Sequence, residues 1–209
     1  MVLQNFIVFE GIDGAGTTTQ IDLLRTRDDA ERFFFSAEPT DEPTGRFLRT
    51  MLRGDVTVDP RTAAYLFAAD RAEHLWGAEN GIAAQCARGK IAVSDRYFFS
   101  SLAYQSVTCG EELPRALNAP FPLPQLLFFF AIDPARALER VLGRGKPELY
   151  EKIDFQKATA ERYERIIAEY DGTPQGNGMR IVRIDATQSK ERVAKIISQE
   201  LENLPILKA

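Results

Sequence analysis

Histidine and cysteine are scarce: the 209-residue chain has one histidine, His74, and two cysteines, Cys86 and Cys109, in unrelated contexts. They form neither a C-x-x-C pair nor any metal-ligand spacing, which argues against a zinc site and suits a reducing cytosol. A basic excess is also missing. With 26 Lys and Arg against 30 Asp and Glu the net charge is −4, so no overall field draws nucleic acid or an anionic membrane. Any anion site has to be a local cluster of arginines. The longest apolar run, LPQLLFFFAI at 123–132, is too short to cross a bilayer, and the N-terminus opens on strand-like sequence without a basic n-region. These absences lead to the expectation of a soluble cytoplasmic protein with no nucleic-acid or membrane partner.

What is present is apolar sequence in short bursts. A 44% hydrophobic content over this length suffices for one well-buried α/β domain and is short for two, so a single domain over 1–209 is expected. NFIVFE, RFFFSAE, KIAVSD, QLLFFFAID and MRIVRID are apolar on consecutive rather than alternate residues, as strands buried on both faces are. Segments of helical period lie between them, at about 17–27, 45–53, 60–88, 98–109, 134–142, 154–171 and 188–203. The alternation predicts a doubly wound α/β fold, a five-stranded parallel sheet flanked by helices. The basic, glycine-rich GRGKPE at 143–148 has the composition of a mobile lid or of a solvated loop.

Three stretches carry chemistry. FEGIDGAGTTTQ follows the first predicted strand and opens the first predicted helix; Gly11, Gly16 and Thr18 meet the pattern G-x-x-x-x-G-K-[ST], but Thr17 stands where the lysine belongs. Gly11, Gly14 and Gly16 would let backbone N–H groups turn onto an anion at a helix N-terminus, and the Thr18 hydroxyl suits Mg²⁺. A dinucleotide fingerprint has another glycine order, and a ligand-free turn is the bland alternative. In SDRYFFSSLAYQ, Asp95 and Arg96 fall at a strand's carboxyl end, where open α/β sheets bind ligands. An arginine beside an aspartate suits a phosphate next to a hydrated metal ion; a strand-end ion pair explains the same residues equally well. In YLFAADRAEHL, Phe67 and Arg71 are four apart, so a ring and a guanidinium leave one helical face and could stack on a base and bond its carbonyl or phosphate. His74 and Trp76 read as packing residues.

Taken in order, FEGIDGAG, AEPTDEPTGRFLR, FAADRAEHL, SDRYFFSSLAYQ, GRGKPELYE and FQKATAERY resemble the thymidylate kinases, P-loop nucleoside-monophosphate kinases that convert dTMP to dTDP with ATP and Mg²⁺. The resemblance runs from about Asn5 to Leu201. It implies that Gly11, Asp13, Gly14, Ala15, Gly16, Thr17, Thr18 and Thr19 surround the ATP phosphates, and that Thr18 and Asp95 serve Mg²⁺, with Glu38 near the ion's waters. Arg49 and Arg96 would hold the acceptor phosphate beside Glu38 and Pro39. Phe67 would stack on thymine, Arg71 would bond its carbonyl, and Ser100, Ser101 and Gln105 would lie along the nucleoside. Asp13 would face the 3′-hydroxyl and Tyr104 the 2′ position. Asp95, Arg96 and the lid residue Arg144 are the implied catalytic residues, with a lid over about 140–152 and a homodimer packed through the long helix near 60–88. Two departures stand out: Ala37 replaces the arginine of the family's Arg-Glu-Pro loop, and Thr17 replaces the lysine. With Gly14 rather than arginine inside the loop, the resemblance implies that Arg144, with Lys146 and Arg140 near it, supplies the missing charge. A weak or inactive dTMP- or ATP-binding relative, or a deoxynucleoside kinase, is the alternative.

Overall fold

The computed structural model describes residues 1–142, 149–150 and 152–208. Strands β1 (Val2–Gly11), β2 (Phe33–Ala37), β3 (Ile91–Asp95), β4 (Leu123–Ala131) and β5 (Arg180–Asp185) form one sheet, all parallel, in the order β2-β3-β1-β4-β5. The helices are α1 (Thr17–Leu24), α2 (Pro43–Leu52), α3 (Pro60–Trp76), α4 (Ile82–Ala87), α5 (Phe98–Cys109), α6 (Glu112–Asn118), α7 (Pro134–Leu142), α8 (Ile153–Tyr170), α9 (Lys190–Leu201) and the short α10 (Pro205–Lys208). No helix among the described residues is long and apolar enough to cross a membrane.

The consecutive apolar residues of the strands divide between two cores. Phe6 and Val8 of β1, Ala92 of β3, and Leu127 and Phe129 of β4 pack into one cluster with α3, α5 and α8. Their neighbours Ile7, Phe9, Ile91, Val93, Phe128 and Phe130 pack into another with α1 and α9. Side chains of a strand point alternately to opposite faces, so a strand covered on both sides has to be apolar throughout. This division also places the site. The chain leaves β1 for α1 on one face of the sheet and leaves β3 for α5 on the other, so a crevice opens between the carboxyl ends of these adjacent strands.

The expected helix over 60–88 is two helices. It starts as its sequence suggests, with Asp59 accepting from Arg61 N at 2.8 Å and Pro60 in the first turn. It ends at Trp76, and α4 begins only at Ile82. Between them the backbone folds onto itself: Gly81 N donates to Gly77 O at 2.9 Å, and a Cβ on Gly81 would lie 2.4 Å from that oxygen. The apolar period continues on both sides of this turn and hides it. The short α6, with Pro114 in its first turn, is a helix absent from the sequence-based expectation.

Candidate active site

The crevice widens into a cavity of about 570 Å³. One wall is the turn between β1 and α1. Ala15 N donates to Ile12 O at 3.0 Å to close that turn, Gly14 and Gly16 take φ of +83° and +98°, and Gly16 stands at the N-cap of α1. The first N–H groups of a helix have no partner within it, so the N-terminus of α1 presents donors and positive dipole to the cavity. Asp13, Gly14, Gly16, Thr17, Thr18 and Thr19 line it, while Gly11 lies below, paired in the sheet with Phe130. Ala15 lies instead in a second cavity of about 210 Å³, which Gly14, Gly16 and Thr19 share. The phosphate loop is therefore a wall between two spaces.

Gly14 has to be glycine. A Cβ there would lie 2.2 Å from the Ala137 carbonyl oxygen of α7, and its φ is one that side-chain-bearing residues rarely adopt. The loop thus rests against α7, whose Arg140 donates to Gly14 O at 3.3 Å and to Ala186 O at 2.9 Å. Among the described residues the guanidinium groups that bond loop carbonyls are Arg140 and Arg96, the latter to Gly11 O at 2.9 Å. Arg144 and Lys146 lie outside the described residues.

Across from the loop stands the end of β3. The Thr18 hydroxyl donates to Asp95 Oδ2 at 2.6 Å, while Asp95 Oδ1 is buried without a partner in the protein. Among the described residues no group of three His, Cys, Asp or Glu side chains could cage a metal. A hydroxyl, a carboxylate and one unpaired carboxylate oxygen fit a magnesium ion, which keeps its waters and is held by one or two carboxylates and substrate phosphates. Arg96 adopts a left-handed φ of 74° and reaches back over the loop. It bonds Asp13 at 2.5 Å, Ser100 at 3.2 Å and the Gly11 carbonyl, with its guanidinium 5.2 Å from the Tyr104 ring. Asp13 is held further by the Tyr104 hydroxyl at 3.1 Å and by Gln156 at 2.9 Å.

The remaining expected residues line the same cavity: Glu38, Pro39, Arg49, Phe67, Arg71, Ser100, Ser101 and Gln105, with Ala37 beside them. Arg49 donates to Pro39 O, and its Nε is buried without a protein partner, as is Gln105 Oε1. Glu38 and Arg71 are arranged in a way the sequence did not suggest. Arg71 is only 1% exposed and grips Glu38 Oε2 through Nε and one terminal nitrogen, at 3.0 and 2.6 Å, and also bonds Asn118 of α6 and Ser101. The other Glu38 oxygen lies 3.0 Å from His74 Nδ1, so His74 is part of a polar cluster rather than simple packing. Burial alone would raise the Glu38 pKa, but the Arg71 charge and the bond with His74 outweigh it and hold the carboxyl below its ordinary value.

Besides Asn118 and His74, other contributors escaped the sequence reading, among them Glu10, Gln156 and Tyr150. Tyr150 lines the cavity, stacks on Phe155 with centroids 4.8 Å apart and lies 5.8 Å from the Tyr104 ring. Neighbouring Leu149 N donates to Leu52 O at the end of α2. Glu10 carried a legible signal, a lone charge at the end of an apolar strand, which is buried completely.

An all-parallel sheet of this order, with a glycine turn and a helix N-terminus at the end of its central strand, is the architecture of P-loop nucleoside-monophosphate kinases. The family model for thymidylate kinase matches residues 9–197. A protein of Treponema pallidum, named by inference as a thymidylate kinase, is 39% identical over 99% of both chains. Proteins named "Probable thymidylate kinase" from Methanocaldococcus jannaschii and Pyrobaculum aerophilum are 37% and 34% identical, over 98% and 95% of this chain and 100% and 97% of theirs. The chain belongs to the thymidylate kinase family.

Proposed function

We propose that the protein transfers the γ-phosphoryl group of ATP to dTMP, giving dTDP. The observation that carries this reading is the union, in one cavity, of a phosphate loop, an aspartate–arginine strand end and an aromatic–arginine helix face. Phosphoryl transfer asks little of acid–base chemistry and much of positioning and fixed charge. Backbone amides of the loop and the α1 N-terminus bind the donor phosphates, and the smaller cavity beyond the loop takes the donor nucleoside. Thr18 and Asp95 would hold magnesium, which would supply neutralising charge to the transferring phosphates. Arg96 and Arg49 hold the acceptor phosphate. Phe67, Arg71, Ser101 and Gln105 receive the thymine nucleoside, with Glu38 setting the angle of Arg71 rather than meeting the metal. Asp13 and Tyr104 border the sugar, and Ser100 and Pro39 complete the wall.

The missing lysine sets the rate rather than the reaction. Losing one preorganised contact costs about 2.7–4 kcal/mol, within a total enhancement of roughly 8–23 kcal/mol. Arg144, with Lys146, restores that charge when the lid at about 140–152 closes; Arg140 is already bonded to the loop from α7. If Arg144→Ala leaves turnover unchanged while Thr17→Lys raises it steeply, this compensation is wrong. Thr17 also favours one competing reading, a nucleotide-binding relative that does not turn over. ADP release measured with dTMP, dUMP, thymidine and no acceptor decides: dTMP-dependent release is expected, tight dTMP binding without turnover would mean a sensor, and release with thymidine a nucleoside kinase. The protein is further proposed to be a cytoplasmic homodimer of one domain per chain, without nucleic-acid or membrane partners.

A further inference from the structure

The buried group that this mechanism leaves unused is Glu10. Its carboxylate, 0% exposed, accepts from Tyr97 N at 2.8 Å, Ser100 N at 3.2 Å, the Ser100 hydroxyl at 2.7 Å and the Tyr163 hydroxyl at 2.8 Å. Tyr97 is the N-cap of α5 and Ser100 its third residue, so a carboxylate from β1 serves as the cap that the helix's own sequence lacks. The Ser100 hydroxyl works in both directions: it accepts from Arg96 Nη1 at 3.2 Å and donates its own proton to Glu10 Oε2. Arg96 is fastened on either side of Glu10 as well, through its N–H to Phe9 O and its guanidinium to Gly11 O, both at 2.9 Å. Tyr163 ties in α8, the helix whose Gln156 holds Asp13 two turns earlier.

We infer that Glu10 is a positioning residue for phosphoryl transfer, holding Arg96 through Ser100 and holding α8 through Tyr163 so that the acceptor phosphate meets a fixed guanidinium. Four donors converge on two oxygens, and only an ionised carboxylate, an acceptor without a proton, takes them all. The charged and titratable groups facing it are Arg96 from the β3–α5 junction and Tyr163 from α8, with Tyr104 of α5 edge-on to Tyr163 and Asp13 bonded to Arg96. Burial pushes the Glu10 carboxyl up to about 7 against the opposing pull of Arg96, Ser100, Tyr163 and the Tyr97 amide. Burial likewise keeps the Tyr163 phenol neutral, well above its ordinary value.

The inference rests on Arg96 as the acceptor-phosphate ligand, so wild-type turnover of dTMP is measured first; its absence removes both readings. Glu10→Gln keeps the size and half the acceptor capacity. The expected result is a fall in kcat/KM for dTMP of roughly ten- to hundredfold, the range for a buried hydrogen bond to a charged group, with the ATP KM within about twofold. The ratio of wild-type to Glu10→Gln kcat/KM for dTMP should fall as pH drops through about 7. Titration of the substrate phosphate is common to both proteins and cancels. Tyr163→Phe should act in the same direction and add little on top of Glu10→Gln. Wild-type parameters in a folded Glu10→Gln, or equal loss for both substrates with an unchanged pH profile, would overturn the inference while leaving the proposed reaction intact. If Glu10→Gln does not fold, Tyr163→Phe decides alone: a selective loss with dTMP supports the inference and no change overturns it.

Discussion

Asp95 and Arg96 are neighbours in the chain with opposite assignments, one oxygen turned to the Thr18 hydroxyl and one guanidinium turned across the loop. Removing the arginine takes away a preorganised charge, so Arg96→Ala is expected to lower kcat by about 10²–10³-fold in a coupled ADP assay. Glu38 and Glu10 behave oppositely with pH. The Glu38 pKa is depressed in the folded chain, so its contribution to stability is complete above the ordinary glutamate value and disappears as pH falls below it. Arg71→Met should remove that acid-sensitive part, which urea unfolding at pH 7 and pH 3.5 would register as a smaller difference than in the wild type. The Glu10 pKa is raised from 4.5 to about 7, so stability present below 4.5 is lost as pH rises through 7. Glu10→Gln should therefore gain on the wild type by about 3 kcal/mol in unfolding free energy over that interval. Phe67, Arg71, Asp95 and Arg96 were legible because their spacing or strand-end place implies a direction. The partners of Arg71 and of Glu38 were not: Asn118 lies 47 residues on from Arg71, and His74 reaches Glu38 from another element of the chain.

At the scale of elements, the strands were readable because burial on both faces leaves no room for polar alternation. The expected limits of α5 and the expected start of α7 coincide with those observed. The break between α3 and α4 was not, since apolar spacing says nothing about a carbonyl lying against a glycine. Gly81→Ala places a methyl group against backbone that has no side chain to move. It should cost about 1–3 kcal/mol in urea unfolding, with activity per folded molecule retained. Of the expected lid segment, Val141 and Tyr150 stand on the cavity wall, Arg140 bonds the Gly14 carbonyl, and Leu149 N bonds Leu52 O.

Across the whole molecule, the exposed apolar residues of α3 point to how two copies would meet. Tyr65 and Trp76, 56% and 54% exposed, are eleven residues apart, about three helical turns, and so share a face; Trp76 also stacks on Phe121. Replacing both with glutamate should shift a dimer to a monomer in sedimentation velocity, while an unchanged mass would place the interface elsewhere. The phosphate loop has a kinetic counterpart at this scale. Because each described cavity has lining residues of its own besides the shared Gly14, Gly16 and Thr19, neither is expected to be reached through the other. On the proposed assignment each nucleotide should then load without waiting for its companion, and the phosphoryl group should pass directly between two molecules bound side by side. Initial-rate plots should intersect, with either substrate able to bind first.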